Sequence, residues 1–168
     1  IQTIGILAKD SPSGKALLNQ IKAESDTYHV KVGVAKLVRT VEDIMKEEER
    51  LQQGDAIYID SIKGIRDGEK SLSYKEVIGI INKTFDIPVI GANKYHVTQG
   101  ALCAVVKTGY EQGETAAEML LKAMRGTPVR DIMISQNYEG RRIINVTVMR
   151  KMGIKAKPTV LIGTELVK

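Results

Sequence analysis

Residues 8–18 read AKDSPSGKALL, a strand-like run giving way to a helix with Gly14-Lys15 at the turn. A glycine and a lysine in that setting raise the question of phosphate binding. A P-loop needs an earlier glycine, which would fall at Lys9, and a hydroxyl directly after the lysine, where Ala16 stands. Neither requirement is met, so a nucleotide site is rejected. What remains is a polar turn at a helix amino terminus. Its backbone N–H groups and the hydroxyls of Ser11 and Ser13 are suited to a small anionic or polar group, or simply to capping the helix.

The other chemistry-bearing residues are sparse. Asp60 and Ser61 follow the apolar run AIYI and are candidates to face a ligand at a strand end. The two histidines, His29 and His96, have no partner at metal-ligand spacing, and no metal site is expected. No G-x-G-x-x-G follows any strand, so no dinucleotide cofactor is expected. No nucleophile, base and orienter can be named as a set, and catalysis is unsupported. Cys103 lies in the apolar run ALCAVV and reads as a buried, inert thiol. Gly109, Gly113 and Ala117 share one helix face. Gly113 and Ala117 read as a close packing surface. Gly109 reads as a strand-to-helix turn that carries Thr108 and Tyr110 to the ligand side.

The elements that must position these residues alternate. Strands are expected at 3–8, 30–38, 56–59, 88–91, 101–107 and 143–144. Helices are expected after Gly14, from Thr40 to Gln53, and over 72–83, 110–125 and 146–152. Thr40 and Asp43 sit at capping-box distance, and Asn145 caps the last helix. Strands separated by helices of this length imply right-handed crossovers and a mainly parallel sheet. The fold class is α/β, Rossmann-like or flavodoxin-like, as a single lobe over 1–168. Ligands of such sheets bind outside the strand carboxyl ends, which singles out 8–14, 60–64, 91–96 and 107–110.

Composition narrows the partners. With 43% apolar and 27% charged residues, the 168-residue chain has the make-up of a globular domain. Aromatic content is 4% with no Trp, which disfavours stacking on single-stranded nucleic acid. The +5 charge is concentrated late: residues 1–121 hold 15 Lys/Arg against 17 Asp/Glu, and residues 122–168 hold 10 against 3. These basic residues alternate with apolar ones, the pattern of a solvated face, so no nucleic-acid partner is expected. The chain opens on strand-like IQTIGIL, which reads as a cut made just before a domain.

A collinear set of short motifs spans nearly all 168 residues: DAIY at 55–58, DIPV at 86–89, GAL at 100–102, Gly113 to Ala117, Gly126-Thr127-Pro128, and Ile144-Asn145 leading to Gly153. In this order they resemble the substrate-binding proteins of ABC transporters of the tryptophan/tyrosine type. The resemblance implies a bilobed, type I periplasmic-binding-protein-like architecture of which this chain is the second half. It further implies an extracytoplasmic location, no catalysis, no cofactor, and a small-molecule ligand, amino-acid-like or another small polar or aromatic solute. By position, the ligand-facing residues are Ser11, Ser13, Asp60, Ser61, Asn93, Thr108 and Tyr110. Many relatives read P-T-D-N where this chain has Asp60-Ser-Ile-Lys63, and have aspartate where Asn93 and Thr108 stand. The loss of those aspartates counts against an amino-acid ligand unless Asp60 replaces their charge from a nearby position, and the ligand class stays open.

Three functions compete: a solute-binding lobe serving an ABC permease, a ligand-sensing domain of a signalling module, and a flavodoxin-like enzyme. The helix at 109–126 is expected to pack on a missing lobe or on a second chain, a homodimer being favoured, because its Ala116, Met119, Leu120 and Ala123 face is apolar.

Overall fold

The computed structural model describes residues 1–27, 29–135 and 139–168. Strand β1 (Thr3–Lys9) is apolar from Ile4 to Ala8 and buried from Gly5 to Ala8, as expected of a strand covered on both faces. It pairs in parallel with β2 (Lys31–Val38) on one side and β3 (Ala56–Asp60) on the other. Beyond β3 lie β6 (Val89–Gly91) and β7 (Cys103–Val106), also parallel. Strand β8 (Arg141–Asn145) then runs antiparallel to β7, and β9 (Glu165–Val167) runs parallel to β8. The seven-stranded order is β2-β1-β3-β6-β7-β8-β9. A two-stranded hairpin of β4 (Arg66–Asp67) and β5 (Lys70–Ser71) stands apart.

The first five strands of this order follow the flavodoxin-like winding. The chain leaves β1 to one side for β2 and to the other for β3, so the switch point falls between the carboxyl ends of β1 and β3. The main core joins Leu7, Val38, Ile44, Leu51, Ile57, Ile59, Val77, Ile78 and Ile81, all essentially without exposure. A smaller cluster of Val97, Ala104 and Ile143 seats the far strands.

Helix α1 (Pro12–Glu24) starts on Ser11, whose side chain accepts from the Gly14 amide, with Pro12 in its first turn. The single helix expected from Thr40 to Gln53 is instead two, α2 (Val41–Met45) and α3 (Glu48–Gln52). The break turns the buried Glu47 carboxylate onto Lys36 Nζ at 2.8 Å and Arg50 Nη1 at 2.7 Å. The Thr40–Asp43 capping box is present at the start of α2. Helix α4 (Tyr74–Thr84) begins two residues later than expected, because Ser73 and Glu76 form a capping box. Leu72 instead exchanges backbone bonds with Ile65 and Gly64 and enters the core. A short helix α5 (Lys94–Thr98) follows β6 where only a loop was expected. Asn145 caps α7 (Val146–Lys151), accepting from the Thr147 and Val148 amides. A last turn, α8 (Pro158–Leu161), leads into β9.

Two expectations are corrected. Helix α6 (Gly109–Met124) has no buried residue, and a Cβ on Gly113 would meet nothing within 4 Å. Gly113 and the exposed Ala117 therefore form no packing surface within this chain. Cys103 is half-buried rather than buried, although its surroundings still push the thiol pKa up by desolvation.

Candidate functional site

At the switch point, the chain beyond β1 is tied down by charge. Asp10 pairs with Arg39 Nη2 at 2.6 Å and with Lys15 at 3.5 Å, and the Arg39 hydrogen bond holds its carboxyl below the usual range. Ser11 Oγ lies 3.0 Å from Ser13 Oγ and accepts the Gly14 amide at 3.1 Å, so the first pair of predicted site residues does form one polar turn. Gly14 is there for space: a Cβ would stand 2.1 Å from the Lys9 carbonyl oxygen. The glycine lets α1 start hard against the end of β1.

Across the switch point, β3 ends at Asp60, in register with Ala8. Ser61 follows at φ 53°, the left-handed region that side chains avoid, and donates to Asp60 Oδ1 at 3.3 Å. A non-glycine residue held there stores backbone strain. Asp60 takes part in no ion pair among the described residues. Lys9, one position past Ala8, instead donates to the Lys63 carbonyl at 3.1 Å.

The neighbouring strand β6 brings an aromatic group. Ile59 pairs with Gly91, and a Cβ on Gly91 would stand 2.5 Å from His96 Cβ, so this glycine admits the histidine. His96 is fully buried. Its Nδ1 accepts the Ala92 amide at 3.1 Å, which puts the proton on Nε2, and Nε2 has no partner among the described residues. Burial pulls its pKa down to about 4 against the opposing pull of the Asp60 charge. The ring meets Tyr95 edge-on at 4.4 Å and Tyr74 at 5.0 Å, and the two tyrosines are 4.6 Å apart. Asn93 Nδ2 donates to Tyr95 Oη at 3.1 Å, and Tyr95 donates to Tyr74 Oη at 3.2 Å. Burial, and next the Tyr74 hydrogen bond, raise the Tyr95 pKa, and burial pushes Tyr58 on β3 up to about 12. The Asp60 charge adds to both shifts.

Beyond β7, Thr108 caps α6 by accepting the Glu111 amide at 3.1 Å. Asn93, Tyr95, Thr108 and Tyr110 line a cleft of about 440 Å³, floored by Val106 and Ile143. Tyr110 is 81% exposed at its rim. On its far side, Glu165 holds Lys94 at 2.5 Å and Arg141 at 3.7 Å. Three of the seven predicted site residues thus share one cleft, and the other four sit in pairs at the ends of β1 and β3. The residues not anticipated are Tyr74 and Tyr95. The run Lys94-Tyr95-His96 directly after a strand end was a usable signal for Tyr95, whereas nothing in the order of residues brings Tyr74 there.

Two further clefts lie at the other end of the strands. One of about 280 Å³ runs between β1, β2 and α3 and is lined by Gly5, Gly33 and Gly54. Another of about 540 Å³ lies between the end of α4 and α7, beside Phe85 and Met152. Neither is lined by a tyrosine, whereas the cleft at the carboxyl ends is lined by Tyr95 and Tyr110.

Comparison with solved structures gives type I periplasmic-binding-protein-like domains. An ABC domain from Streptococcus pneumonia in complex with L-Trp matches with a TM-score of 0.64 at 19% identity, covering 99% of this chain and 55% of its own. A ligand-free, open substrate-binding protein with adhesive properties from Clostridium difficile matches with a TM-score of 0.70 at 20% identity, covering 99% and 54%. A conserved domain protein from Vibrio cholerae matches with a TM-score of 0.62 at 18% identity, covering 99% and 55%. The chain therefore spans just over half the length of these proteins. Comparison with curated proteins gives no match. The family model for ABC transporter substrate binding protein matches residues 1–168, and the chain belongs to that family.

Proposed function

We propose that this chain is one lobe of a solute-binding protein that delivers a small molecule to an ABC permease. The observation that carries this reading is the arrangement at the strand carboxyl ends. A strained Asp60-Ser61 turn, an aromatic cluster and a 440 Å³ cleft open on the same side of the sheet, and the family match accounts for them. The seat takes an amino-acid-like or other small polar or aromatic solute, reversibly and without turnover, outside the cytoplasm. Ser11, Ser13, Asp60, Ser61, Asn93, Thr108 and Tyr110 face it. Calorimetric titration with a panel that begins with L-Trp tests this. Saturable one-site binding with the solute recovered unchanged supports the reading; chemical conversion of a bound solute would defeat it.

The exposed α6 belongs to the same reading. Leu120 is 61% and Met124 74% exposed, and past the helix Met133 is 85% and Ile134 90% exposed. So much exposed apolar surface demands cover. A further lobe of the polypeptide supplies it in the whole protein, and a second copy of the chain takes its place when the 168 residues stand alone, by the low-cost exchange of like elements. Sedimentation of the isolated chain at micromolar concentration should give a dimer. A strictly monomeric species would defeat the self-association.

A further inference from the structure

Helix α5 is short and lies between two glycines, Gly91 and Gly100, the second at φ 119°. Its Val97 joins Ala104 and Ile143 in the smaller core, and the Val97 carbonyl accepts the Asn145 side chain at 2.9 Å. The Ala101 amide donates to the His96 carbonyl at 2.9 Å. A further tie is the His96 side chain, which enters the space left by Gly91 and accepts the Ala92 amide. That tie holds in one charge state only. A neutral imidazole accepts at Nδ1, whereas an imidazolium carries protons on both nitrogens and accepts nothing. Protonation in place would set Nδ1–H against the Ala92 N–H, donor against donor. It would also bury a charge with no acceptor paired to either nitrogen among the described residues. The cation is stable in water, and the fully buried His96 reaches water when α5 lifts from β6.

The charged and titratable groups on the neighbouring elements do not hold that cation in place. Strand β6 carries none. Tyr74 of α4 and Tyr95 of α5 meet the ring edge-on, and β7 contributes the half-buried Cys103. On β8, Arg142 donates to the Ile162 carbonyl, and Arg141 pairs with Glu165 of β9, which also holds Lys94 of α5. The Lys94 hydrogen bond keeps the Glu165 carboxyl below the usual range, so this pair is still charged at pH 5. Asp60, at the end of β3, pulls His96 toward its charged form, and burial outweighs that pull.

We propose that His96 is an acid-sensitive latch, whose protonation favours a state with α5 swung off β6 and Lys94 and Tyr95 withdrawn from the cleft wall they form. As a gate on a bound solute the latch rests on the solute-binding reading above. As a motion of α5 it does not, and its test needs no solute. The direction follows from linkage. The pKa of His96 on the sheet, about 4, lies below the ordinary 6.5, so the open state takes up the proton and gains on the closed one as pH falls. Those two values make α5 open about twentyfold more often at pH 5 than at pH 7.

Amide hydrogen exchange of the full-length protein, corrected for the intrinsic pH dependence of exchange, measures this opening. Amides of α5 should be less protected than those of β1 and nearly indifferent to low urea, the signature of local opening. Their protection should fall about twentyfold between pH 7 and pH 5. His96→Gln keeps an acceptor for the Ala92 amide and cannot titrate, so its α5 should open equally at both pH values. Where that variant melts well below the parent, the native chain decides. Protection of α5 must then fall about sevenfold from pH 6 to pH 5, and the Ala92 amide resonance must move together with the His96 ring carbons. Protection that is constant with pH, a loss that survives His96→Gln, or α5 amides as protected and as urea-sensitive as β1 at pH 5 overturns the latch. Failure of every solute in the titration panel removes the solute-binding reading alone, and these rates still decide the latch.

Discussion

Alanine in place of a helical glycine ordinarily stabilises a protein by about 0.5–1 kcal/mol, because glycine gives up more backbone freedom on folding. Three helical glycines in this chain should respond to that one change with opposite signs. At Gly14, in the first turn of α1, the added Cβ would stand 2.1 Å from the Lys9 carbonyl oxygen and 3.2 Å from Leu37 Cδ2. The first contact is with backbone at the end of a central strand, which cannot rotate away, so helix and strand must part by more than an ångström. Overpacking of this kind costs about 1–3 kcal/mol. Against the propensity gain, Gly14→Ala should destabilise by about 1–2 kcal/mol and lower Tm by roughly 2–8 °C. At Gly79 in α4 and Gly113 in α6 a Cβ meets nothing within 4 Å, and both substitutions should stabilise the monomeric chain, at concentrations too low for self-association, by about 0.5–1 kcal/mol. Urea unfolding with a common m-value measures all three. If Gly14→Ala is as stable as the parent, the close approach of α1 to β1 is wrong. The same Gly113 substitution in the whole protein carries a second message, since a loss of stability there shows that the exposed face of α6 is covered.

The other predictions follow from the site and its flanks. His96, held neutral by burial, should titrate near pH 4 in an NMR titration; a midpoint near 6.5 would show it in water. Its folded pKa lies below the unfolded one, so its contribution is complete above about pH 6.5 and is lost as pH falls toward 4, by up to roughly 3 kcal/mol. His96→Gln should flatten that part of the stability profile. Cys103, with its pKa raised by desolvation, should react with a neutral-pH thiol reagent well below the rate of the urea-unfolded chain, and equal rates would place it in open solvent. Glu47→Gln should weaken the tie of α3 to β2 and destabilise by about 1–2 kcal/mol, because it removes the charge from a largely buried carboxylate that holds both Lys36 and Arg50; a change under about 0.3 kcal/mol would make that cluster a surface pair.

Where local physics decides, the sequence was readable. The strands are β-branched runs, the helix starts carry their own caps at Ser11, Thr40 and Asn145, and alternation implied the parallel sheet. Readability failed where a distant partner decides. Nothing local says that Glu47 will turn inward to Lys36 and split a helix, or that β8 will lie antiparallel to β7. Gly113 shows the same limit in reverse: a small-residue face on an amphipathic helix announces packing, but its packing surface is not within this chain.

The site divides along the same line. Ser11, Asp60, Asn93 and Thr108 were expected on the ligand side because each stands at or just past a strand's carboxyl end, and a parallel sheet sends every such position to one edge. The register then adds what order alone cannot. Gly91 lacks a side chain so that His96 fits behind it, and His96 in turn seats Tyr95 of α5 against Tyr74 of α4. The four strand-end residues supply polarity, which any crevice of this fold would have. The cluster of Tyr74, Tyr95 and His96 is contributed by helices, through packing rather than position in the chain. The buried contacts behind the strand ends thus fix how these rings stand beside the cleft. A substitution at Gly91, which touches no ligand, should therefore disturb binding as surely as one at Asp60.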